Sequence, residues 1–600
     1  MTPTFHYTVS FLEPGDHVYQ VRLHMTDVPE GRHILSLPVW TPGAYEVQDF
    51  SRHVFGLRLE SNFKAIPLNH EAKNRWGFET FGDNSTVTLD YQVYAFELGV
   101  DTSHLDASHA YWNGAGLFMW LDDYQSEPYT VKIEAPAGWK VATGLESDPH
   151  TPNQYVARNY DVLIDSPVEC GTHQTLTFTV DNKPHSVVLW GHGNEDAVQF
   201  TEDIQRIVQA QRDIFGSLPY DHYTFIVHLS DRGTGGLEHL NSTTCGVSRF
   251  AFKPRKSYRR VLGLVSHEFF HLWNVKRIHP DMLGPFDYNQ EVYTRLLWAM
   301  EGFTDYYAGI ALRRSGLFSV PEYLKGLGEN LEAYEKEPGR FVQSLAESSF
   351  DTWIKLYKPD EDSKNRTISY YLKGDLVGTC LDLEIRHRTG SQYALDDVLR
   401  RLYTRYAAQG IGFPESVYQE TVEEVANSSF QEFFDHYIYG TAPIPIDTVL
   451  GYAGLTISRS YKDADKEDDI DAPTASTPKA PWPWLGIDTR VVEQKIEVST
   501  AYTTGPAASL LQAKDQVIAL DGYQVQKVEE LNDRLRRNYQ VGDTVTVSLF
   551  RRGQLQAIPI VLAEAPFNKV EVKPVTDPTP DQRAFFESWM KAPFPVPDQK

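Results

Sequence analysis

The chain has 600 residues, 41% hydrophobic and 23% charged, with a formal net charge of −25. That is the balance of a soluble globular protein with room for several separate cores, and it excludes a fibre or a disordered tail. The acidity also excludes nucleic acid as an expected partner, since phosphate contacts need Lys/Arg clusters that are not found here.

The opening "MTPTFHYTVSFLEPGDHVYQ" has neither a basic start nor an unbroken apolar run. No later segment approaches the roughly 18 apolar residues of a membrane helix, so the expectation is a cytoplasmic chain that starts here. Over residues 1–170, Val21, Leu23 and Met25 alternate with polar neighbours, as do Val87, Leu89, Tyr91 and Val93. This period of two predicts an N-terminal antiparallel β domain of sandwich type. A further alternating run, "TLTFTVDNKPHSVVLWG", opens a second domain over 171–455, where "DAVQFTEDIQRIVQAQRDIFG" switches to helical spacing. Helices are predicted over "RVLGLVSHEFFHLWN", "EVYTRLLWAMEGFTDYYAGIALRRSG" and "ETVEEVANSSFQEFFDHYIYG", the last two stopped by glycine. Residues 456–482 are acidic and then rich in Pro, Ala, Ser and Thr, which is linker composition. Short strands return over 483–565, and 566–600 is a Pro-rich tail with one short apolar helix candidate. The fold class is multidomain α+β. Three scattered cysteines, Cys170, Cys245 and Cys380, argue against a disulfide framework and read as small buried hydrophobes.

Chemistry concentrates in "VLGLVSHEFFHLWNVKR". Residues four apart share a helix face, so His267 and His271 can offer both imidazoles to one ion, with Glu268 turned to the same side as a general base. A buried helix with two satisfied histidines is the alternative. A catalytic zinc needs a third protein ligand and an open position for water. Glu301, an anion in the apolar stretch "LLWAMEGFTDYYAG", is the candidate, because coordination would remove the cost of burying it. Asp305, one turn later, could accept the second ring N–H of a ligand histidine, or could be a plain surface charge.

These residues carry a resemblance. "HEFFH" with "WAMEGFTDYY" resembles the gluzincin metallopeptidases, whose catalytic domain is thermolysin-like with a mostly helical C-terminal part. The fuller set resembles the glycyl aminopeptidase family, a relative of aminopeptidase N. It comprises "WTPGAYEVQDFSRH", "YDVLIDSPVECG", "GTGGLEHLNS", "HEFFHLWNVKRI", "WAMEGFT" and "YYLKGDLVG". The resemblance implies one zinc per chain on His267, His271 and Glu301. It implies that Gly235, Gly236, Leu237 and Glu238 form the exopeptidase motif, an edge strand that receives substrate backbone and a carboxylate that holds the free α-amine. Glycines permit close backbone approach, and a fixed carboxylate rewards a cationic terminus. It further implies that Tyr371 donates to the oxyanion, although Tyr370 is a neighbour that could be confused with it. The expected activity is removal of an N-terminal residue, glycine or alanine, from peptides with a free N-terminus.

"WLGIDTRVVEQKIEVSTAYTTGPAASLLQAKDQVIALDGYQV" resembles a PDZ domain over 483–565, with Gly486 in the carboxylate-binding loop, a helix within "GPAASLL" and a groove helix at "VEELNDRLRRN". Lys514 stands where such domains commonly have glycine. The groove could take an extended peptide or a C-terminus, or the module could pack on the core without a ligand. Two other readings remain open: a PDZ-based scaffold with a vestigial metal domain, and a gluzincin that cuts another bond as an endopeptidase or epoxide hydrolase.

Overall fold

The computed structural model describes residues 2–82, 84–461 and 481–595, so most of the expected 456–482 linker lies outside the described residues. The chain divides into two compact units, Met1–Thr294 with Tyr307–Leu317 and Asp396–Thr421, and Arg295–Tyr306 with Phe318–Leu395 and Val422–Lys600.

In the first unit the N-terminal domain is built of β-sheet, with one eight-stranded and two four-stranded sheets. The two alternating runs read from the sequence are neighbouring strands, Val18–Val28 and Ser85–Tyr94, in antiparallel register with Val21 opposite Tyr91, Leu23 opposite Leu89 and Met25 opposite Val87. All six side chains are buried in one apolar core, which is why the apolar positions recur every second residue. One pairing departs from the antiparallel expectation: Thr4–Ser10 runs parallel to Tyr129–Glu134.

A five-stranded sheet follows in the order Gln174–Val180, Lys183–Gly191, Tyr223–Ser230, Ser242–Ser248, Gly235–Glu238. Gly235–Glu238 is therefore an edge, antiparallel to its one neighbour. The helix Ala197–Phe215 is capped by the Asp196 side chain and stops at Gly216 in the left-handed region. Through Gln211, whose amide donates to the Ser266 carbonyl, it braces the helix Arg255–Phe270.

The helix expected from Glu291 begins later. A five-residue π-helical segment, Trp298–Gly302, leads into Phe303–Arg314. The predicted helix over "ETVEEVANSSFQEFFDHYIYG" is two, Ser416–Ala426 and Gln431–Tyr437, because Asn427 takes a positive φ and the Ser pair breaks the spacing. The C-terminal stretch folds onto the second unit: Lys569–Pro574 pairs with Leu455–Ser460, and the helix Pro580–Met590 buries Phe586, Trp589 and Met590. The indole N–H of Trp589 donates to the Tyr306 hydroxyl at 3.0 Å.

The PDZ-like module has Ile487–Val492 at the edge of its sheet and the helix Val528–Asn538 where the groove helix was expected. "GPAASLL" forms turns rather than a helix. Lys514 holds φ at 72°, the conformation glycine adopts freely, which explains the family's usual glycine at that turn. Gly486 and Gly505 pack backbone to backbone, where a Cβ on Gly486 would lie 2.7 Å from the Gly505 Cα. Among the described residues no helix is long and apolar enough to cross a membrane.

Candidate active site

The helix Arg255–Phe270 ends at the second histidine of the motif, with His271 as its C-cap. His271 Nδ1 lies 2.8 Å from the Asn274 carbonyl, which can only accept, so this nitrogen carries the ring proton and Nε2 carries the lone pair. The carbonyl of Asn274, rather than a carboxylate such as Asp305, therefore orients His271. Its Nε2 approaches His267 Nε2 at 2.9 Å. Two imidazole nitrogens converging this closely, one of them already a lone pair, form a donor set that fits a cation. The helix is held at this place by Ser266, whose hydroxyl donates to the Ala308 carbonyl at 3.0 Å, and by Phe270 stacked flat on Tyr307.

The edge strand passes directly over Glu268. A Cβ on Gly236 would fall 2.2 Å from Glu268 Oε1 and 2.4 Å from its Cδ, so only glycine lets the backbone come this near. Gly235, at φ 87°, makes the turn into the strand. At the strand's far end Glu238 is buried, and one donor atom each from Glu238, Glu268 and His271 lie within 4.8 Å of one another. The N-terminal domain closes over this carboxylate: a Cβ on Gly43, in "WTPGAY", would lie 2.8 Å from both Glu238 oxygens. Of the residues read from the sequence, the first unit thus gathers His267, Glu268, His271, Gly236 and Glu238, with Gly235 at the strand's entry.

The second unit gathers Glu301 and the tyrosines. Glu301 is 2% exposed on the π-helical segment, a distortion that inserts one residue per turn and often marks functional positions. The next residue, Gly302, touches Gly374 of the helix Tyr370–Arg388, where a Cβ would lie 2.5 Å from the Gly374 Cα. That crossing brings Glu301 into the field of Tyr371, whose hydroxyl is pushed well above its usual pKa by burial first and by Glu301 next. The phenol therefore stays protonated, a donor at any working pH. Tyr370 is fully buried with its hydroxyl 3.0 Å from Thr352 Oγ1, whereas Tyr371 is partly exposed and sits 3.4 Å from the Tyr357 hydroxyl. Asp305 lies on the first turn of Phe303–Arg314 and, after burial, helps to push the Asp375 carboxyl up to about 7.

Residues 6–172 match the Peptidase M61 N-terminal domain, residues 260–377 the M61 glycyl aminopeptidase and residues 483–562 a PDZ domain. A solved aminopeptidase N family protein from Idiomarina loihiensis is 30% identical, with a TM-score of 0.88 over 98% of this chain and 100% of its own. This chain belongs to the M61 glycyl aminopeptidase family. An M1 zinc metallopeptidase from Deinococcus radiodurans is 14% identical, with a TM-score of 0.47 over 74% of this chain and 95% of its own. No curated protein matches the chain. As a member of that family the protein is a metallo-aminopeptidase.

In this M61 aminopeptidase one half-buried residue near the site has no role in the sequence reading. Asp165, within "YDVLIDSPVECG", lies 3.0 Å from His239 Nδ1, accepts the Leu240 N–H at 2.9 Å and pairs with Lys276 at 2.8 Å. Burial alone would raise its pKa, but Lys276 and His239 outweigh burial and hold it below the usual carboxylate range. It fixes the residues that follow Glu238. The quoted motif contains Asp165, but a partner 74 residues away leaves no local signal.

Proposed function

We propose that the chain is a zinc-dependent exopeptidase that cleaves the first peptide bond of peptides bearing a small N-terminal residue, glycine or alanine. The observation that carries this reading is the buried Glu238 carboxylate beside Glu268 and His271, a fixed anion at the distance of one residue from the reacting centre. Its partner is the substrate's α-ammonium, while the open edge of Gly235–Glu238 takes the substrate backbone by strand addition. Preference for a small N-terminal residue is supported by the match to the M61 glycyl aminopeptidase.

His267, His271 and Glu301 are the proposed ligands, a two-histidine, one-carboxylate set that suits zinc. Support for Glu301 comes from the chain itself. It lies just ahead of the helix whose Tyr307 and Ala308 grip the His267/His271 helix. Asp305 is proposed to accept the second ring N–H of His267. The metal, when bound, supplies Lewis acidity toward water and the scissile carbonyl. Glu268 accepts a proton from the attacking water and returns it to the leaving amine. Tyr371 donates to the carbonyl oxygen as it gains charge.

The groove beside the strand Ile487–Val492 is proposed to take an extended peptide, supported by a cavity of about 540 Å³ lined by Trp484, Asp488, Asn532 and Leu535 of the module and, across from them, by Glu335, Pro338, Arg340 and Phe341. A cytoplasmic location is supported by three buried free cysteines. The test is a panel of aminoacyl chromogenic amides beside N-blocked peptides, with and without a chelator. Glycyl and alanyl amides should be cleaved, chelation should stop them and zinc should restore them. Faster cleavage of blocked peptides would overturn the exopeptidase reading.

A further inference from the structure

A second convergence of metal-ligating side chains shares no residue with the site above. Its centre is Glu169, in the motif "YDVLIDSPVECG" that the proposed reaction leaves unused. Glu169 lies on the strand Val168–Gly171, paired with His109–Trp112 so that Tyr111 stands opposite Glu169 and His109 opposite Gly171. Both strands belong to the N-terminal domain. His228 comes from Tyr223–Ser230 of the five-stranded sheet. The carboxylate and both imidazoles are at most 2% exposed.

Three donors meet at short range. His109 Nδ1 is 3.1 and 3.3 Å from the two Glu169 oxygens, and His228 Nε2 is 3.0 Å from Oε2. A third imidazole, His173, points its Nδ1 at Oε1 from 4.0 Å. The arrangement is held from outside: His109 lies flat on Trp190 at 3.5 Å, and Gly171 leaves room for it, since a Cβ there would sit 2.8 Å from the His109 Cβ.

Hydrogen bonds alone account poorly for this cluster. Glu169 is a fully buried carboxylate that both histidines approach within hydrogen-bond distance. Among the described residues its ionic partners are histidines only, with no Lys or Arg. An interior carboxylate is costly unless it meets a charge or a metal. The hydrogen bonds to Glu169 leave His173 Nδ1, also buried, without a hydrogen-bond partner. A cation uses the convergent atoms of His109, Glu169 and His228 as lone-pair donors. Ligand bonds of about 2.0–2.1 Å in a tetrahedron set neighbouring donors about 3.3 Å apart, close to the spacings seen. Imidazole donors select a zinc-like transition metal over calcium or magnesium.

We propose that His109, Glu169 and His228 bind a structural divalent transition metal of the zinc type that fastens the N-terminal β domain to the catalytic sheet.

The test counts metal in purified full-length protein by mass spectrometry after passage over a chelating resin. His267→Ala/His271→Ala removes the proposed catalytic ligands and leaves this cluster intact, so that variant should keep about one zinc per chain where the parent holds about two. No zinc in the double variant overturns the proposal. One zinc in both proteins supports it and instead removes the catalytic ligand assignment, so the two readings fail separately. Adding Glu169→Gln to the double variant should empty the site, and retention of one zinc there places the ion elsewhere and overturns the proposal. X-ray absorption on the double variant adds a readout independent of that last substitution: a nitrogen and oxygen shell with imidazole scattering supports the cluster, and sulfur ligation refutes it.

Discussion

Substituting Gly236 by alanine tests whether the edge strand positions Glu268. The backbone at Gly236 does not use a positive φ, so alanine meets no conformational barrier there. Its methyl would lie 2.2 Å from Glu268 Oε1, 2.4 Å from Cδ and 2.5 Å from Cγ. Comfortable carbon contacts need about 3.5–4.0 Å, so strand and carboxylate must separate by more than about 1 Å. A displacement of that size at a reacting group costs about 100-fold, or roughly 2.7 kcal/mol of barrier. The assay is kcat/KM on an alanyl amide with metal content measured on the same preparation. The expected result is full metal with activity down about 100-fold. Activity within about threefold of the parent, metal intact, would show that Glu268 does not work from the position against the strand.

Glu268→Gln should keep its metal while turnover falls by several orders of magnitude, and near-normal turnover would remove Glu268 as the general base. Tyr371→Phe should cost about 2.7–4 kcal/mol of barrier, read as a fall in kcat, whereas Tyr370→Phe, whose hydroxyl faces Thr352, should act on stability instead; the reverse pattern would exchange the two assignments. Asp375 is pushed up to about 7 by burial and then by Asp305, so between about pH 4 and 7 the folded chain holds a proton that the unfolded chain has released. Stability therefore falls as pH rises through that window, by up to about 4 kcal/mol in all. Asp375→Asn, still able to accept from Asn330, should raise Tm at pH 8 and change it little at pH 4; equal shifts at both would contradict this.

What could be read from the chain follows the range of the forces involved. His267 and His271 were legible because a four-residue spacing on a helix is a geometric statement, and the core of the N-terminal sheets because Val21, Leu23 and Met25 repeat with the strand period. Tyr371 is separated from Tyr370 in the sequence only by the motif the resemblance carries, since consecutive helical positions differ only in which neighbour they meet, here Tyr357 and Thr352. The π-helical turn at Glu301 ends at Gly302, which crosses Gly374 72 positions away, and no local propensity announces it. For the same reason the helix carrying Trp589 looked like part of a tail: its apolar face was visible, but the Tyr306 it meets was not. The Asp165 and Glu169 clusters are longer-range still, each joining strands or loops of the N-terminal domain to the sheet that follows.

The central claim, that Glu238 holds the substrate's free amine, is tested most directly by kcat/KM for matched free and N-acetylated peptides in the parent and in Glu238→Ala. Removing one member of a partly desolvated charge pair should cost roughly 2–5 kcal/mol on the free-amine substrate, with metal content unchanged. Any residual cleavage of the acetylated peptide, which never used that contact, should show no comparable loss. Equal fractional losses on the two substrates would mean that Glu238 supports the fold or the metal site, and would contradict the aminopeptidase assignment at its one residue-level anchor.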